Sequence, residues 1–162
     1  MHKPGRVDRT DARLLLALNK NPRATVLHLA QQAGLSRNTV QARLAKYEST
    51  GVLEAFERRI DPAALGYPLS AIMFVRVTQR MLSVVADELT AIAEVIEVIG
   101  VSGPTDLLVR VAAANADDLY RIAGQILAIP GVERTDTGLA MRRLVDYRLT
   151  PLLERLSGST DS

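Results

Sequence analysis

Two short helices joined by a tight turn are predicted between Thr25 and Leu53, and this junction constrains the fold more than any other feature. Thr25 is suited to cap a helix, and Gly34 to the left-handed backbone position that follows a helix end. Ser36 can cap a second helix at once, while Leu35 fills the core between them. Helical spacing predicts one apolar stripe for each helix, formed by Val26, Leu29, Ala30 and Ala33, and by Val40, Leu44 and Tyr47.

The second helix leaves a basic and amide-rich face outward, as the second helix of a DNA-binding helix-turn-helix does. Arginine, asparagine and glutamine can each bond a base edge through two atoms in the major groove. Side chains near the start of the helix are suited to bases, and Arg43 and Lys46, further along, to phosphates. The predicted DNA-binding residues are Arg37, Asn38, Thr39, Gln41, Arg43 and Lys46. The alternative is a solvated polar face on two helices that never meet DNA.

Charge is divided unevenly along the 162 residues, although the formal net charge is only +2. Residues 1–60 hold 11 Lys and Arg against 5 Asp and Glu, whereas residues 61–162 hold 9 against 13. A basic front half followed by an acidic rear half predicts that only the front half meets a polyanion. A solvated imbalance with no partner is the alternative.

Several function classes find no support in the sequence. The chain has no cysteine, which excludes disulfides, thiol chemistry and cysteine zinc sites. No apolar run approaches the ~18 residues of a membrane span, and the N-terminus lacks a signal peptide, so a cytoplasmic protein is expected. The two histidines are far apart, and the Asp117–Asp118 and Glu94/Glu97 pairs suit capping and solvation. We therefore expect no enzyme, catalytic residue, metal site or cofactor.

A first helix, opened by Asp8 and ending near Pro22, is predicted upstream of the pair. Its spacing predicts that one face is buried, formed by Leu14, Leu15 and Leu18. The three helices together predict a trihelical, winged-helix-like helix-turn-helix domain over residues 1–51.

Residues 52–66 predict a connection made of a linker strand over 52–60 and a short elbow. Residues 67–150 have the periodicity of strand, helix, strand, strand, helix and strand in that order. This order predicts an α+β chain whose second domain is ferredoxin-like βαββαβ, an antiparallel sheet with both helices on one face. Residues 151–162 are predicted to be a C-terminal tail, disordered from Ser157 onward. The predicted strands are residues 69–78, 95–101, 107–113 and 132–145.

The face of this sheet that carries no helix is predicted to be apolar. Ile72 and Phe74 belong to it on the first strand, and Leu108 and Ala112 on the third. Since a large apolar face is unfavourable in water, we expect it to pack on the same face of a second subunit. A two-fold dimer would present two recognition helices to a pseudo-palindromic DNA site.

Six short motifs occur in a fixed order along the chain. They are Asp8-x-x-Asp11-x-x-Leu14-Leu15, Gly34-Leu35-Ser36, Glu48-x-x-Gly51-Val52-Leu53, Asp61-Pro62-x-x-Leu65-Gly66, Val101-Ser102-Gly103-x-x-Asp106 and Leu127-x-x-Pro130-Gly131-Val132. In this combination the chain resembles the leucine-responsive regulatory protein/AsnC (feast/famine) family of bacterial and archaeal transcription regulators. The resemblance extends over residues 7–150.

The resemblance implies an N-terminal DNA-binding domain and a C-terminal domain that dimerises and binds small effectors, often amino acids. Dimers of this family commonly assemble into tetramers or octamers, with effector sites between dimers. The chain departs from the family at three positions. Pro104 stands where an acidic residue is common, Thr105 where an aromatic residue is frequent, and Tyr47 where leucine is usual.

The predicted effector-binding residues are Ser102, Gly103, Pro104, Thr105 and Asp106. Gly103 can bring backbone N–H groups close to a carboxylate, because no Cβ obstructs the approach. Two hydroxyls stand beside it, and Asp106 can accept from an ammonium group or brace the loop. The residues alone favour a tight turn whose backbone is set by Gly and Pro and capped by Asp106. The family resemblance favours the effector site.

These observations predict a sequence-specific DNA-binding transcription regulator that oligomerises and senses an amino acid or related metabolite. The expected partners are double-stranded DNA, the effector, and further copies of the chain in a homodimer that assembles to a tetramer or octamer, with no membrane. The alternative is a ligand-independent, nucleoid-architectural DNA-binding protein. The two hypotheses differ only in whether the loop at residues 102–106 binds a ligand.

Overall fold

The computed structural model describes residues 7–54 and 60–158, which divide into two compact units. The first unit combines residues 7–54 with residues 145–158, and the second contains residues 60–144. The chain therefore enters the second unit and then returns to the first.

Three capped helices form most of the first unit, as the sequence predicts. They are α1 (Arg9–Lys20), α2 (Val26–Ala33) and α3 (Arg37–Ser49). Asp8 caps α1, the Thr25 hydroxyl accepts from the His28 N–H, and the Ser36 hydroxyl accepts from the Thr39 N–H at 3.1 Å. Gly34 has φ 67°, the left-handed conformation that ends α2 and turns the chain into α3. Local sequence thus determines where each helix begins and how the second follows the first.

The core of the first unit contains the apolar stripes of the three helices. Its buried residues are Leu14, Leu29, Ala30, Ala33, Val40 and Tyr47. Val52 and Leu53 pack at its edge without forming a strand. The remainder of the predicted linker strand, residues 55–59, lies outside the described residues.

The second unit is the predicted ferredoxin-like βαββαβ domain, so the chain has an α+β fold. A 3₁₀ turn at Pro62–Leu65 precedes it, with the Asp61 carboxylate accepting from the Ala63 N–H. The antiparallel strand order β2-β3-β1-β4 is that of a split βαβ arrangement. Its elements are β1 (Leu69–Val77), α4 (Leu82–Thr90), β2 (Val95–Gly100), β3 (Leu107–Ala113), α5 (Ala116–Leu127) and β4 (Val132–Leu139).

The core of the second unit lies between the sheet and its two helices. Alternation along β1 buries Ala71, Met73, Val75 and Val77, and the helices bury Val85, Leu89, Ile122 and Ile126 against them. Leu82, the first residue of α4, is exposed. A Gln79–Met81 3₁₀ turn leads into the helix, so its buried face begins at Val85.

The last strand is shorter than predicted. It ends at Leu139, which pairs with Ala71, and the Ala140 N–H then donates to the Ser70 carbonyl. Since β1 begins at Leu69, residues beyond 141 have no further β1 backbone to pair with. The predicted continuation of β4 to Val145 is therefore wrong, because the alternating sequence pattern extends beyond the point where its neighbour β1 begins.

A sixth helix, α6 (Thr150–Ser157), lies within the predicted C-terminal tail and packs on α1 in the first unit. Asn19 donates from its side-chain amide to the Thr150 hydroxyl at 3.0 Å. Ser157 is the last helical residue, and Gly158 ends the helix at φ 79°. The prediction of disorder from Ser157 onward is thus wrong at Ser157, and residues 159–162 lie outside the described residues.

Candidate functional site

Helix α3 has one buried face and one exposed face. Val40 and Tyr47 are fully buried against α1 and α2, which fixes the orientation of the helix about its axis. The opposite face is exposed, and it carries Arg37, Asn38, Gln41 and Lys46. The structure therefore leaves all four predicted DNA-binding side chains accessible, and it places Asn38 and Lys46 along the same cleft.

Thr39 takes part in the helix start. Its hydroxyl and that of Ser36 lie 2.8 Å apart, and its N–H donates to the Ser36 hydroxyl. This residue is half-buried, so its side chain contributes to the cap of α3 as well as to the edge of the exposed face. A shallow cleft of about 530 Å³ runs along this edge, lined by Asp8, Asn38, Thr39, Ala42, Arg43 and Lys46.

Arg43 differs from the other predicted DNA-binding residues because it is engaged within the first unit. Its Nη1 donates to Asp8 Oδ2 at 3.1 Å and also to Asp11 Oδ1. The Tyr47 hydroxyl donates to the same Asp11 oxygen at 2.6 Å. We call Asp8, Asp11, Arg43 and Tyr47 the α1–α3 clamp.

The clamp shifts the pKa of three of its groups. Burial alone would raise the pKa of the Asp11 carboxyl, but hydrogen bonds from the Asp8 N–H, Tyr47 and Arg43 together hold that pKa below its ordinary value. The bond to Asp11 raises the pKa of the Arg43 guanidinium. Burial, reinforced by the bond to Asp11, raises the pKa of the Tyr47 hydroxyl. All three groups therefore keep their ordinary ionisation states at neutral pH.

Sequence reasoning did not predict the clamp, although one signal for it was present. Tyr47 occupies an inward position where the family usually has leucine, and a buried tyrosine hydroxyl needs a hydrogen-bond partner. The acidic Asp11 at the start of α1 is that partner. Periodicity alone could not show that two residues 36 positions apart would meet.

The predicted effector loop joins β2 to β3 and is exposed around Gly103. Gly103 has φ 130°, a backbone conformation that favours glycine, and no heavy atom lies within 4 Å of the position a Cβ would occupy. Ser102 and Pro104 are also exposed, whereas Thr105 and Asp106 are half-buried. The loop thus leaves its tip open to a ligand or to another chain.

The base of the loop is braced by the strand beside it. Asp106 accepts the Val77 N–H at 2.9 Å and the Gln79 side-chain amide at 2.6 Å. Its own N–H donates to the Val75 carbonyl at 3.0 Å, and the Arg76 guanidinium donates to the Pro104 carbonyl. Asp106 is therefore a bracing residue, which is one of the two roles expected for it.

The sheet face opposite the helices combines an apolar patch with charged residues, so it is not composed as predicted. The register places Arg110, Arg134 and Asp136 on it. Phe74 is 41% exposed, and the register places it beside Leu108, which in turn pairs with Ile99. Ile72 is half-buried next to Arg110. Ala112 was expected on this bare face but is only 3% exposed, and its N–H donates to the Glu94 carbonyl. The exposed apolar surface is therefore centred on Phe74 and does not include Ala112.

Within residues 7–54 and 60–158, no three His, Cys, Asp or Glu side chains are grouped so as to hold a metal ion. No helix among these residues is both long enough and apolar enough to cross a membrane.

A helix-turn-helix unit with an exposed polar recognition face, joined to a ferredoxin-like unit, defines a class of DNA-binding regulators that carry a second, sensory domain. The family model for the AsnC-type helix-turn-helix domain matches residues 7–48, and the model for the Lrp/AsnC ligand binding domain matches residues 70–150. The chain therefore belongs to the Lrp/AsnC family of helix-turn-helix transcriptional regulators.

Individual relatives agree with this assignment. The HTH-type transcriptional regulator FL11 of Pyrococcus horikoshii is 31% identical over 84% of this chain and 90% of its own length. The feast or famine regulatory protein from M. tuberculosis, solved in complex with L-methionine, is 30% identical, with a TM-score of 0.76 over 87% of this chain and 96% of that one. AsnC from E. coli has a TM-score of 0.79 over 91% of this chain and 100% of its own, at 22% identity, which shows the fold alone.

Proposed function

We propose that this chain controls transcription by reading a specific DNA sequence with α3, under the control of an amino acid or related metabolite bound by the second unit. The proposal that α3 reads DNA rests on the division of this helix into a buried face and an exposed face. Its buried side fixes the helix, and Arg37, Asn38 and Gln41 stand exposed near its N-terminal end. A recognition helix meets base edges in the major groove with this end.

The exposed residues have separate roles in this proposal. Arg37, Asn38 and Gln41 bond base edges, and the loss of one such bidentate contact costs ~1–3 kcal/mol at one base position. Lys46 lies further along the helix and contacts a phosphate, a contact that is independent of sequence.

The test of DNA reading begins with selection of an operator from a random duplex library. Arg37→Ala combined with Gln41→Ala should weaken operator binding by about tenfold or more and relax the preference at the contacted bases. Arg155→Ala, which removes the same charge from the exposed surface of α6, is the control and should leave the preference unchanged. An operator affinity that the double variant leaves intact contradicts the assignment of α3.

The bare sheet face supports a two-fold homodimer, which assembles further into tetramers or octamers as its family does. Phe74, Leu108 and Ile99 form adjoining apolar positions on an accessible surface. Burying such a surface between two copies contributes ~25 cal/mol per Å² of apolar area. The dimer would then read a pseudo-palindromic operator with both of its recognition helices.

The effector part of the proposal rests on the loop at residues 102–106 and on a relative. A protein 30% identical to this chain was solved with L-methionine. Here Gly103 is exposed, and no heavy atom lies within 4 Å of the position a Cβ would occupy. Since Pro104 lacks a backbone donor, we expect a ligand preference unlike that of relatives with another residue there.

Calorimetry over the natural amino acids, beginning with L-methionine, tests the effector site. Gly103→Val should abolish binding, because valine rarely adopts φ 130° and would distort the loop. Gly100→Ala is the matched control, since Gly100 lacks positive φ and has open space around it. Coupling to DNA should change operator affinity by about 5- to 150-fold.

One observation favours the ligand-independent architectural alternative. Each oxygen of Asp106 already accepts one hydrogen bond, from the Val77 N–H and from the Gln79 amide, so this carboxylate braces the loop and has less acceptor capacity left for an ammonium group. If no amino acid binds below millimolar concentration, or if Gly103→Val binds equally well, the loop is a turn and the architectural function is the better one.

A further inference from the structure

The exposed face of α3 contains one arginine whose charge is already neutralised. Arg43 lines the same cleft as Asn38 and Lys46, but its guanidinium pairs with Asp8 and Asp11 and its side chain is only 26% exposed. A cation held between two carboxylates releases few counterions on meeting a phosphate. We propose that Arg43 is a positioning residue that holds α3 on α1, together with Tyr47, and that it does not contact DNA phosphates.

The carboxylates that hold Arg43 are themselves fixed to the backbone of α1. The Asp8 N–H donates to Asp11 Oδ2 at 2.9 Å, and the Asp11 N–H donates to Asp8 Oδ1 at 2.6 Å. This reciprocal capping box leaves neither side chain free to rotate away. Arg43 is therefore anchored to the first turn of α1 and not to a flexible surface acid.

Tyr47 adds a second contact to Asp11, which restrains the orientation of α3 on α1. It lies one helical turn after Arg43, and both side chains donate to the same oxygen, Asp11 Oδ1. A single ion pair would allow α3 to turn about one contact, whereas two donors spaced along the helix restrict both rotation and sliding. Because base reading depends on the angle at which Arg37 and Gln41 project, this restraint bears directly on sequence preference.

The inference rests on the proposed DNA-binding function, and a charge-conserving variant tests it separately. Arg43→Gln combined with Asp11→Asn replaces the ion pair by two amides and leaves the net charge unchanged. Binding is measured against salt concentration for the selected operator and for a shuffled duplex of equal length. We expect the slope of log affinity against log salt to stay as in the wild type, while the operator-to-shuffled ratio falls about tenfold or more.

Two further variants separate the effect of losing a phosphate contact from that of losing a contact to Asp11. Lys46→Gln is the matched phosphate control on the same helix, and it should lower the slope by about 0.9 for both duplexes without changing their ratio. Tyr47→Phe keeps every charge and the buried ring, yet should lower the operator-to-shuffled ratio about threefold or more by removing one donor to Asp11. Circular dichroism establishes that each variant is folded at the temperature of measurement.

The results distinguish a positioning role for Arg43 from a direct contact with a DNA phosphate. If the double variant lowers the slope by about 0.9 with the ratio preserved, as Lys46→Gln does, Arg43 is a phosphate contact and the inference is wrong. If the double variant does not fold, Tyr47→Phe decides alone, and an unchanged ratio overturns the inference. A wild-type protein that enriches no duplex contradicts the proposed function itself, before any variant is compared.

Discussion

Asp11 both caps α1 and accepts hydrogen bonds from two side chains of α3. Its carboxylate is buried and accepts from the Asp8 N–H, Arg43 and Tyr47. A buried acceptor with three donors stabilises the folded state only while it is ionised. The stability of the first unit should therefore depend on pH through this one group.

The direction of that dependence follows from the pKa of Asp11, which lies below its ordinary value of 3.8 in the folded protein. Such a carboxyl contributes stability above its unfolded pKa, and this contribution is lost as pH falls through the folded pKa. We expect the melting temperature of the first unit to fall between about pH 5 and pH 3, and less steeply for Asp11→Asn. Calorimetric scans across this range measure both slopes, and parallel curves would contradict the role of Asp11.

Two glycines provide a matched pair of residue-scale predictions. Gly131 has φ 98°, and a Cβ there would lie 2.6 Å from Met81 Cβ and 3.2 Å from Val85 Cγ2. Gly131→Ala should lower the free energy of unfolding of the second unit by about 2 kcal/mol or more. Gly124 lies within α5 with nothing within 4 Å, so Gly124→Ala should raise it by about 0.5–1 kcal/mol. Urea unfolding measures the free energy of unfolding of both variants. A change of the same sign in both would contradict the different roles given to Gly131 and Gly124.

At the scale of elements, α6 is a helix of the first unit that lies outside both family models, apart from its first residue. The models match residues 7–48 and 70–150, whereas the helix extends from Thr150 to Ser157. Thr150, Leu153 and Ser157 are its less exposed residues, and their spacing places them on one face. Since α6 packs on α1, this is the face we expect to support the helix-turn-helix.

A pair of adjacent leucines tests this role of α6. Leu153→Gln should lower the melting temperature of the first unit, because it puts a polar side chain on the shielded face. Leu152→Gln is the control, since Leu152 is 61% exposed and should tolerate the change. Calorimetry distinguishes them, and equal effects of the two substitutions would mean that α6 does not support the unit through this face.

At the scale of the whole molecule, the bare sheet face predicts that the protein does not exist as a single chain. Phe74→Glu places a carboxylate on this face, next to Asp136 in the register, and should dissociate the dimer. Tyr120→Glu is the control, because Tyr120 is 84% exposed on α5, on the helical side of the sheet. Light scattering at low micromolar concentration should give at least twice 17.6 kDa for the wild type and the control. A wild-type mass of 17.6 kDa would rule out the dimer.

The sequence by itself determined the elements whose signals are local. Thr25, Ser36 and Asn115 predict helix starts because a side chain caps the backbone within three residues of its own position. Alternation along β1 predicts its buried face because successive side chains point to opposite sides of a strand. The exposed base-reading candidates follow from the same periodicity, since the buried Val40 and Tyr47 determine the opposite face of α3.

Tertiary structure decided whatever depends on a partner distant in the chain. The end of β4 is set by where β1 begins, Ala112 is buried although periodicity predicted it on the bare face, and α6 is folded against α1. Arg43 has the sequence signature of a phosphate contact, and only the approach of α1 turns it into half of an ion pair. The physical reason is common to all of these: periodicity reports which face of an element is buried, but not which residues cover it.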